Sequence, residues 1–246
     1  MILPPRPSLL LSVLLALSIL ASASCSGPAD GTCPSLPRDP SCLGRIDGIC
    51  SLPAMSASCS GGVVCSGHGT LRTWGDTSVC ECEAGFSGDP DAPTTCVATS
   101  SLCAGGPLIY DWNGDGVPET TFVPTADECT MYELINRTRA GHDAQGSPEC
   151  HQPLRYSLEW SAHARNHSKQ MSDQGGLFHA DYPMAQNCAY GCGPTCEMSL
   201  YMTGANEGHC PPLSHHCNIM SCDSANVGVG YWPVTSGSWN TQNFYR

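Results

Sequence analysis

The apolar positions change their spacing several times along the chain. Leu9 to Ala21 is predominantly apolar, preceded by the single charge of Arg6 and followed by Ala21-Ser22-Ala23-Ser24. The run is too short to span a bilayer comfortably. Charge, apolar stretch and small residues in that order predict a secretory signal peptide over residues 1–24. No other stretch is long and apolar enough for a membrane helix, so none is expected once the signal is removed. Residues 25–49 carry Pro, Gly, Ser and Cys with little periodicity, which predicts an irregular, disulfide-tied lead-in. Helical spacing begins after Thr125. The stretch from Glu133 to Arg139 reads as a mixed helix, with Thr125 or Asp127 as its cap. From Leu158 to Gln174, Trp160, Ala164, His167 and Met171 recur at three to four residues, so one face is apolar. Gly175-Gly176 supplies the stop. Cys196–Met202 is a third helix candidate. Val227–Trp232 and Trp239–Phe244 flank a Pro/Ser/Gly turn and read as two strands.

Cysteine content changes the picture most. The chain holds 18 cysteines, and behind a signal peptide this predicts a disulfide framework in an oxidising compartment. The rival, structural zinc, needs Cys-x-x-Cys pairs or suitably spaced histidines. Cys80-Glu81-Cys82 and the Cys188, Cys192, Cys196 series lack that spacing. The even count allows every cysteine to pair. Ser22-Ala23-Ser24-Cys25 partly resembles a bacterial lipobox, so Cys25 is a lipidation candidate. The expected localisation is therefore secreted, or a bacterial cell-surface lipoprotein. The net charge of −12, with only 10 Lys plus Arg, argues against a nucleic-acid partner.

Between Cys103 and Cys129 the chain reads Tyr110-Asp111-Trp112-Asn113-Gly114-Asp115-Gly116-Val117-Pro118-Glu119. Alternating oxygen donors around a tight glycine turn make Asp111, Asn113, Asp115 and Glu119 candidate calcium ligands. The bidentate acid of an EF-hand is missing, because Phe122 stands at the twelfth place. A plain Asx-Gly turn without metal remains the alternative. Residues 97–125 thus read as a linker with a candidate calcium loop. Asn136-Arg137-Thr138 and Asn166-His167-Ser168 fit the glycosylation acceptor pattern.

Two segments resemble known families. Residues 50–96 hold Cys50, Cys59, Cys65, Cys80, Cys82 and Cys96, with Ser66-Gly67-His68-Gly69 and Glu83-Ala84-Gly85-Phe86-Ser87-Gly88 between them. Cys-x-Cys, Gly-Phe-x-Gly and a final Cys resemble an EGF-like module. The resemblance implies the pairs Cys50–Cys65, Cys59–Cys80 and Cys82–Cys96. This chain has Leu71 where the family often has cysteine. Asp47 is the only acid ahead of the first cysteine, so no calcium is expected in that module.

The second resemblance covers residues 126–246. Glu133-Leu134-Ile135-Asn136-Arg137-Thr138-Arg139, Pro153-Leu154-Arg155-Tyr156 with the following helix, and Phe178-His179-Ala180-Asp181 come first. Gln186-Asn187-Cys188-Ala189, Ser214-His215-His216-Cys217-Asn218-Ile219-Met220 and the two closing strands complete the order. Together they resemble the CAP superfamily (cysteine-rich secretory protein, antigen 5, pathogenesis-related 1; the SCP domain). The resemblance implies an α+β fold, an α-β-α sandwich with a central antiparallel sheet, preceded by the small disulfide-rich module.

It also implies a cleft with two histidines and two acids. The histidines carry over as His179 and His215, candidate ligands for zinc or another divalent metal. The first acid is replaced by Gln186, an amide that cannot act as a base. The second is Glu207, with Glu197 as the other candidate. Cys188, Cys192, Cys196, Cys210, Cys217 and Cys222 crowd this rim, and the expectation is a cleft fixed by cross-links. No nucleophile elbow, His-Glu-x-x-His or phosphate loop is present. The leading expectation is a non-enzymatic extracellular binding module for a protein, lipid or small-molecule ligand. A protease-like hydrolase using the histidine–carboxylate cleft and a structural adhesin with a vestigial cleft are the alternatives.

Overall fold

The computed structural model describes residues 64–111, 115–142, 149–181, 185–203 and 214–246. The signal peptide, the lead-in, Cys25, Cys50, Cys59, Asn113 and Glu207 lie outside them. Two antiparallel hairpins come first: β1 (Gly69–Trp74) with β2 (Thr77–Cys82), and β3 (Phe86–Asp89) with β4 (Ala92–Ala98). Their core is small, Cys65, Cys80, Cys82 and Cys96 with Leu71 and Phe86 against them. Cross-links stand in for buried apolar area in so short a segment.

The bonds are Cys65–Cys80 and Cys82–Cys96. The expected pairs Cys50–Cys65 and Cys59–Cys80 are therefore corrected, since each sulfur makes one bond. The local cause is visible in the register. Cys80 stands opposite Leu71 across the first hairpin. The turn Val64–Gly67 folds Cys65 back until its Cα is 5.6 Å from that of Cys80. That separation suits a disulfide.

A single helical turn, α1 (Thr99–Leu102), leads to a third hairpin of β5 (Gly106–Tyr110) and β6 (Glu119–Phe122). Cys103–Cys129 bonds the start of this hairpin to the first long helix, α2 (Ala126–Gly141). A capping box starts α2: the Thr125 hydroxyl accepts from the Glu128 N–H, and the Glu128 carboxylate accepts from the Thr125 N–H. Such caps contribute about 1 kcal/mol.

The remaining elements are β7 (Arg155–Tyr156), α3 (Leu158–Gln174), β8 (Ala185–Tyr190), α4 (Pro194–Thr203), α5 (His215–Met220), β9 (Asn226–Val234) and β10 (Gly237–Tyr245). Gly175, in the left-handed region at φ 68°, ends α3. The strands form one sheet in the order β7-β9-β10-β8. It is antiparallel except at one edge, where β7 runs parallel to β9. The expected central antiparallel sheet thus carries one short parallel pair at its edge.

Alternation along β9 distributes the helices. Val227, Val229 and Tyr231 are buried among Met131, Ile135, Met198 and Ile219 from α2, α4 and α5. Between them, Gly228 and Gly230 press against α3. A Cβ on Gly230 would lie 2.0 Å from the Arg165 nitrogen. Helices therefore cover both faces of the sheet.

The described residues from Val64 to Arg246 fall in one compact unit, and polar side chains of α2 hold the hairpins to the rest of it. Glu133 accepts from the Gly85 N–H at 2.9 Å and the Thr99 hydroxyl at 3.1 Å. Arg137 donates to the Cys82 carbonyl at 2.9 Å, and Asn136 to the Ser87 hydroxyl at 3.0 Å. From the hairpin side, the Trp74 indole donates to the Ala140 carbonyl. A buried pair, Arg165–Glu128, links α3 to the start of α2. No helix among the described residues is long and apolar enough to cross a membrane.

Candidate functional site

The edge strand β8 positions the residues singled out in the sequence. Its side chains alternate between faces. Gln186 and Cys188 turn towards the segment after α3, and Asn187 turns the other way. On the first face, His179 Nδ1 lies 3.1 Å from the Gln186 Oε1, which also accepts from the Ala180 N–H at 2.9 Å. Gln186 Nε2 donates to Asn243 Oδ1 at 2.9 Å. Both ends of the amide are thus engaged in one direction. The Phe178–His179 segment is itself held by α3, where His167 Nε2 lies 2.8 Å from the Phe178 carbonyl oxygen.

On the second face, Asn187 donates to the carbonyl of His215 at 3.2 Å, accepts from Asn218 at 2.8 Å and donates to Gln242. The His215 ring packs on Tyr201, centroids 4.8 Å apart. The structure therefore brings His179 and Gln186 into contact, and anchors the backbone of His215 to the next residue of the same strand. Neither histidine belongs to a group of three His, Cys, Asp or Glu donors among the described residues.

Cys188 differs from the expected cross-linked rim. It is a free, buried thiol, while Cys192–Cys196 and Cys150–Cys222 are bonded and Cys217 is also in a disulfide. Its sulfur lies 3.5 Å from the Phe178 oxygen and 3.4 Å from Gln186 Oε1. Burial pushes the thiol up to about 12, so it is protonated and inert as a nucleophile at neutral pH. The correction has a simple cause: β8 places Cys188 inside, packed with Met171 and Trp239, not on the rim.

Glu197 is 1% exposed. The Tyr231 hydroxyl donates to its Oε2, and its Oε1 has no hydrogen-bond partner. Burial first, and the nearby Asp127 second, push its carboxyl up to about 7. Glu197 is therefore a buried acid inside the helix layer.

The candidate calcium loop is held by its own backbone. Asp111 accepts from the Asp115 N–H at 3.1 Å and the Gly116 N–H at 2.8 Å, and Asp115 accepts from the Val117 N–H. Only the bond from Val117 to Asp115, two residues apart, is that of an Asx turn. Asp111, Asp115 and Glu119 form no three-donor cluster among the described residues.

Sequence reasoning missed Asn243, which orients Gln186, and Asn218, which orients Asn187. Polar residues at alternate places in Trp239–Phe244 were the available signal, because a buried strand face with amides must hydrogen-bond them.

No family model matches the sequence, and no curated protein matches it. Among solved structures, the chain is similar to Schistosoma mansoni venom allergen-like protein 4, at 12% identity and a TM-score of 0.37, over 50% of this chain and 89% of that one. So distant a likeness carries no argument about function.

Proposed function

We propose that this is a secreted or surface-anchored CAP-type (SCP) protein that acts as an extracellular binding module without catalysis. Gln186 carries the reading. The position that would need a carboxylate holds an amide, with its oxygen towards His179 and the Ala180 N–H and its nitrogen towards Asn243. A neutral group fixed in that way neither takes a proton nor adds negative charge for a metal. The seven sequence segments that carry the resemblance, and helices on both faces of the sheet, support the CAP-type sandwich. The cleft that the resemblance implies around His179, Gln186 and His215 is the proposed ligand site, for a small or lipid molecule or an extracellular protein.

The hairpins support an EGF-like relationship with one bridge altered. If Cys65 stands second in that family's order, Cys65–Cys80 is the second-to-fourth pair and Cys82–Cys96 the fifth-to-sixth. Leu71 then occupies the third cysteine's place.

A hydrolase is favoured by one observation, the Glu197 carboxyl near 7. Its burial against Tyr231 leaves it no route to a substrate. The test is incubation of the purified protein, its His179→Ala variant and its Gln186→Glu variant with a mixed peptide library, read by mass spectrometry. No cleavage by the wild type is expected. Cleavage that disappears in His179→Ala would overturn the binding-module reading.

A further inference from the structure

A second group of histidines lies away from β8. His142 Nδ1 is 3.0 Å from Glu149 Oε2, and His216 Nε2 is 2.9 Å from Glu149 Oε1. The two imidazole nitrogens and the carboxylate oxygen all lie within 4.8 Å of one another. Among the described residues the other three-donor group, Cys65, Cys80 and Cys96, consists of sulfurs already in disulfides. The Glu149 side chain is only 3% exposed. Its charge is buried, and burying a charge is costly unless an opposite charge or strong donors meet it. Arg139, on the last turn of α2, bonds the carbonyls of Gln152, Ile219 and Ser221 instead.

The three donors sit on elements that are firmly tied together. His142 is the C-cap of α2, where the helix dipole favours positive charge. Glu149 precedes Cys150, which is bonded to Cys222, and the Cys150 N–H donates to the Met220 carbonyl. His216 lies in the first turn of α5, the helix that Met220 closes. The His151 ring is engaged elsewhere, its Nδ1 2.7 Å from the Arg139 carbonyl oxygen and its face stacked on Trp74.

We propose that His142, Glu149 and His216 bind a divalent first-row transition ion, with zinc the best match. Two imidazoles and one carboxylate are a common zinc donor set, with water as the fourth ligand. Tetrahedral zinc places its donors about 3.3 Å apart, from bond lengths of about 2.0–2.1 Å. The two imidazole nitrogens lie at 2.9–3.0 Å from Glu149, one on each carboxylate oxygen. The three donors, within 4.8 Å of one another, need only draw together around the ion. His142 supplies the way in, because its side chain is 28% exposed. The bound ion supplies the positive charge that Glu149 faces, and clamps the end of α2 to α5.

The test uses the full mature chain, stripped with a chelator and titrated with zinc chloride by calorimetry. One equivalent should bind the wild type. Glu149→Gln, which keeps the shape of the side chain, and His216→Ala should each weaken binding by at least about tenfold. His179→Ala, at the β8 cleft, should leave it unchanged. Unaltered affinity in Glu149→Gln and His216→Ala, or loss in His179→Ala alone, overturns the assignment. Zinc-edge absorption on the wild type needs no variant to fold. It should show two imidazoles and only nitrogen and oxygen ligands. Sulfur ligation, or no bound zinc at all, overturns it equally.

Discussion

Glu197 shows how a single side chain sets a pH dependence. Its carboxyl is pushed from an ordinary 4.5 to about 7, chiefly by burial. Below about pH 4.5 it is neutral in folded and unfolded chains alike, and its stabilising contribution is fully present. Between about 4.5 and 7 the unfolded chain releases the proton first, so stability falls as pH rises. The loss reaches about 3 kcal/mol above neutrality. Glu197→Gln should flatten that part of the profile, measured as urea midpoints from pH 4 to 8. An unchanged slope would place the titration elsewhere. At this scale the sequence was informative only where a motif named a residue. His179 and Gln186 were legible because their neighbours carry a pattern, and they do meet. Glu149 and His216 were not, because nothing local to either residue announces a partner so distant along the chain. Asn136 fits a glycosylation pattern, yet its side chain is buried and bonded to Ser87 and Leu154. Acceptor patterns are read without knowledge of burial.

Among the elements, α3 was legible from end to end. Of its expected stripe, Ala164, His167 and Met171 are buried and Trp160 is half-buried, and Gly175 stops it where expected. The closing strands were legible for a similar reason, since β9 alternates. What the pattern did not reveal is that its glycines are there for α3. Gly230→Ala should destabilise by about 3 kcal/mol, because the new methyl group meets helix backbone that cannot rotate aside. Gly193→Ala, with open space around it, should change stability by less than about 0.5 kcal/mol. Thermal or urea unfolding of the two variants checks this, and equal effects would mean the helix yields. The N-terminal hairpins were hidden because bonded cysteines, not alternating apolar residues, form their inside. The short helix α5 was visible only as a motif, since six residues show no period.

For the molecule as a whole, α2 joins two differently built parts. One side of it feeds the apolar core with Met131, Tyr132 and Ile135. Another presents Glu133, Asn136 and Arg137 to the backbone of the disulfide-rich hairpins. This explains why α2 read as a mixed stretch: a helix with two kinds of neighbour has no single apolar face. Glu133→Ala leaves the Gly85 N–H without its acceptor and should cost about 1–3 kcal/mol. Hydrogen exchange followed by mass spectrometry should show faster exchange at residues 83–99, with β9 and β10 still protected. Uniform acceleration would mean that the hairpins are not separately coupled. The disulfides also differ in reach. Cys65–Cys80 and Cys82–Cys96 close loops of 15 and 14 residues, and Cys150–Cys222 spans 72. As the chain emerges during synthesis, the short loops have both ends available early. Cys150 must wait until α3, β8, α4 and α5 have all been made. The cysteine partners therefore become available first in the N-terminal hairpins and later beside the sheet. The bond that brings Glu149 against α5 is the last of these three whose two cysteines are both made, so a chain oxidised only as far as its early cysteines allow would have its hairpins formed and that corner still open.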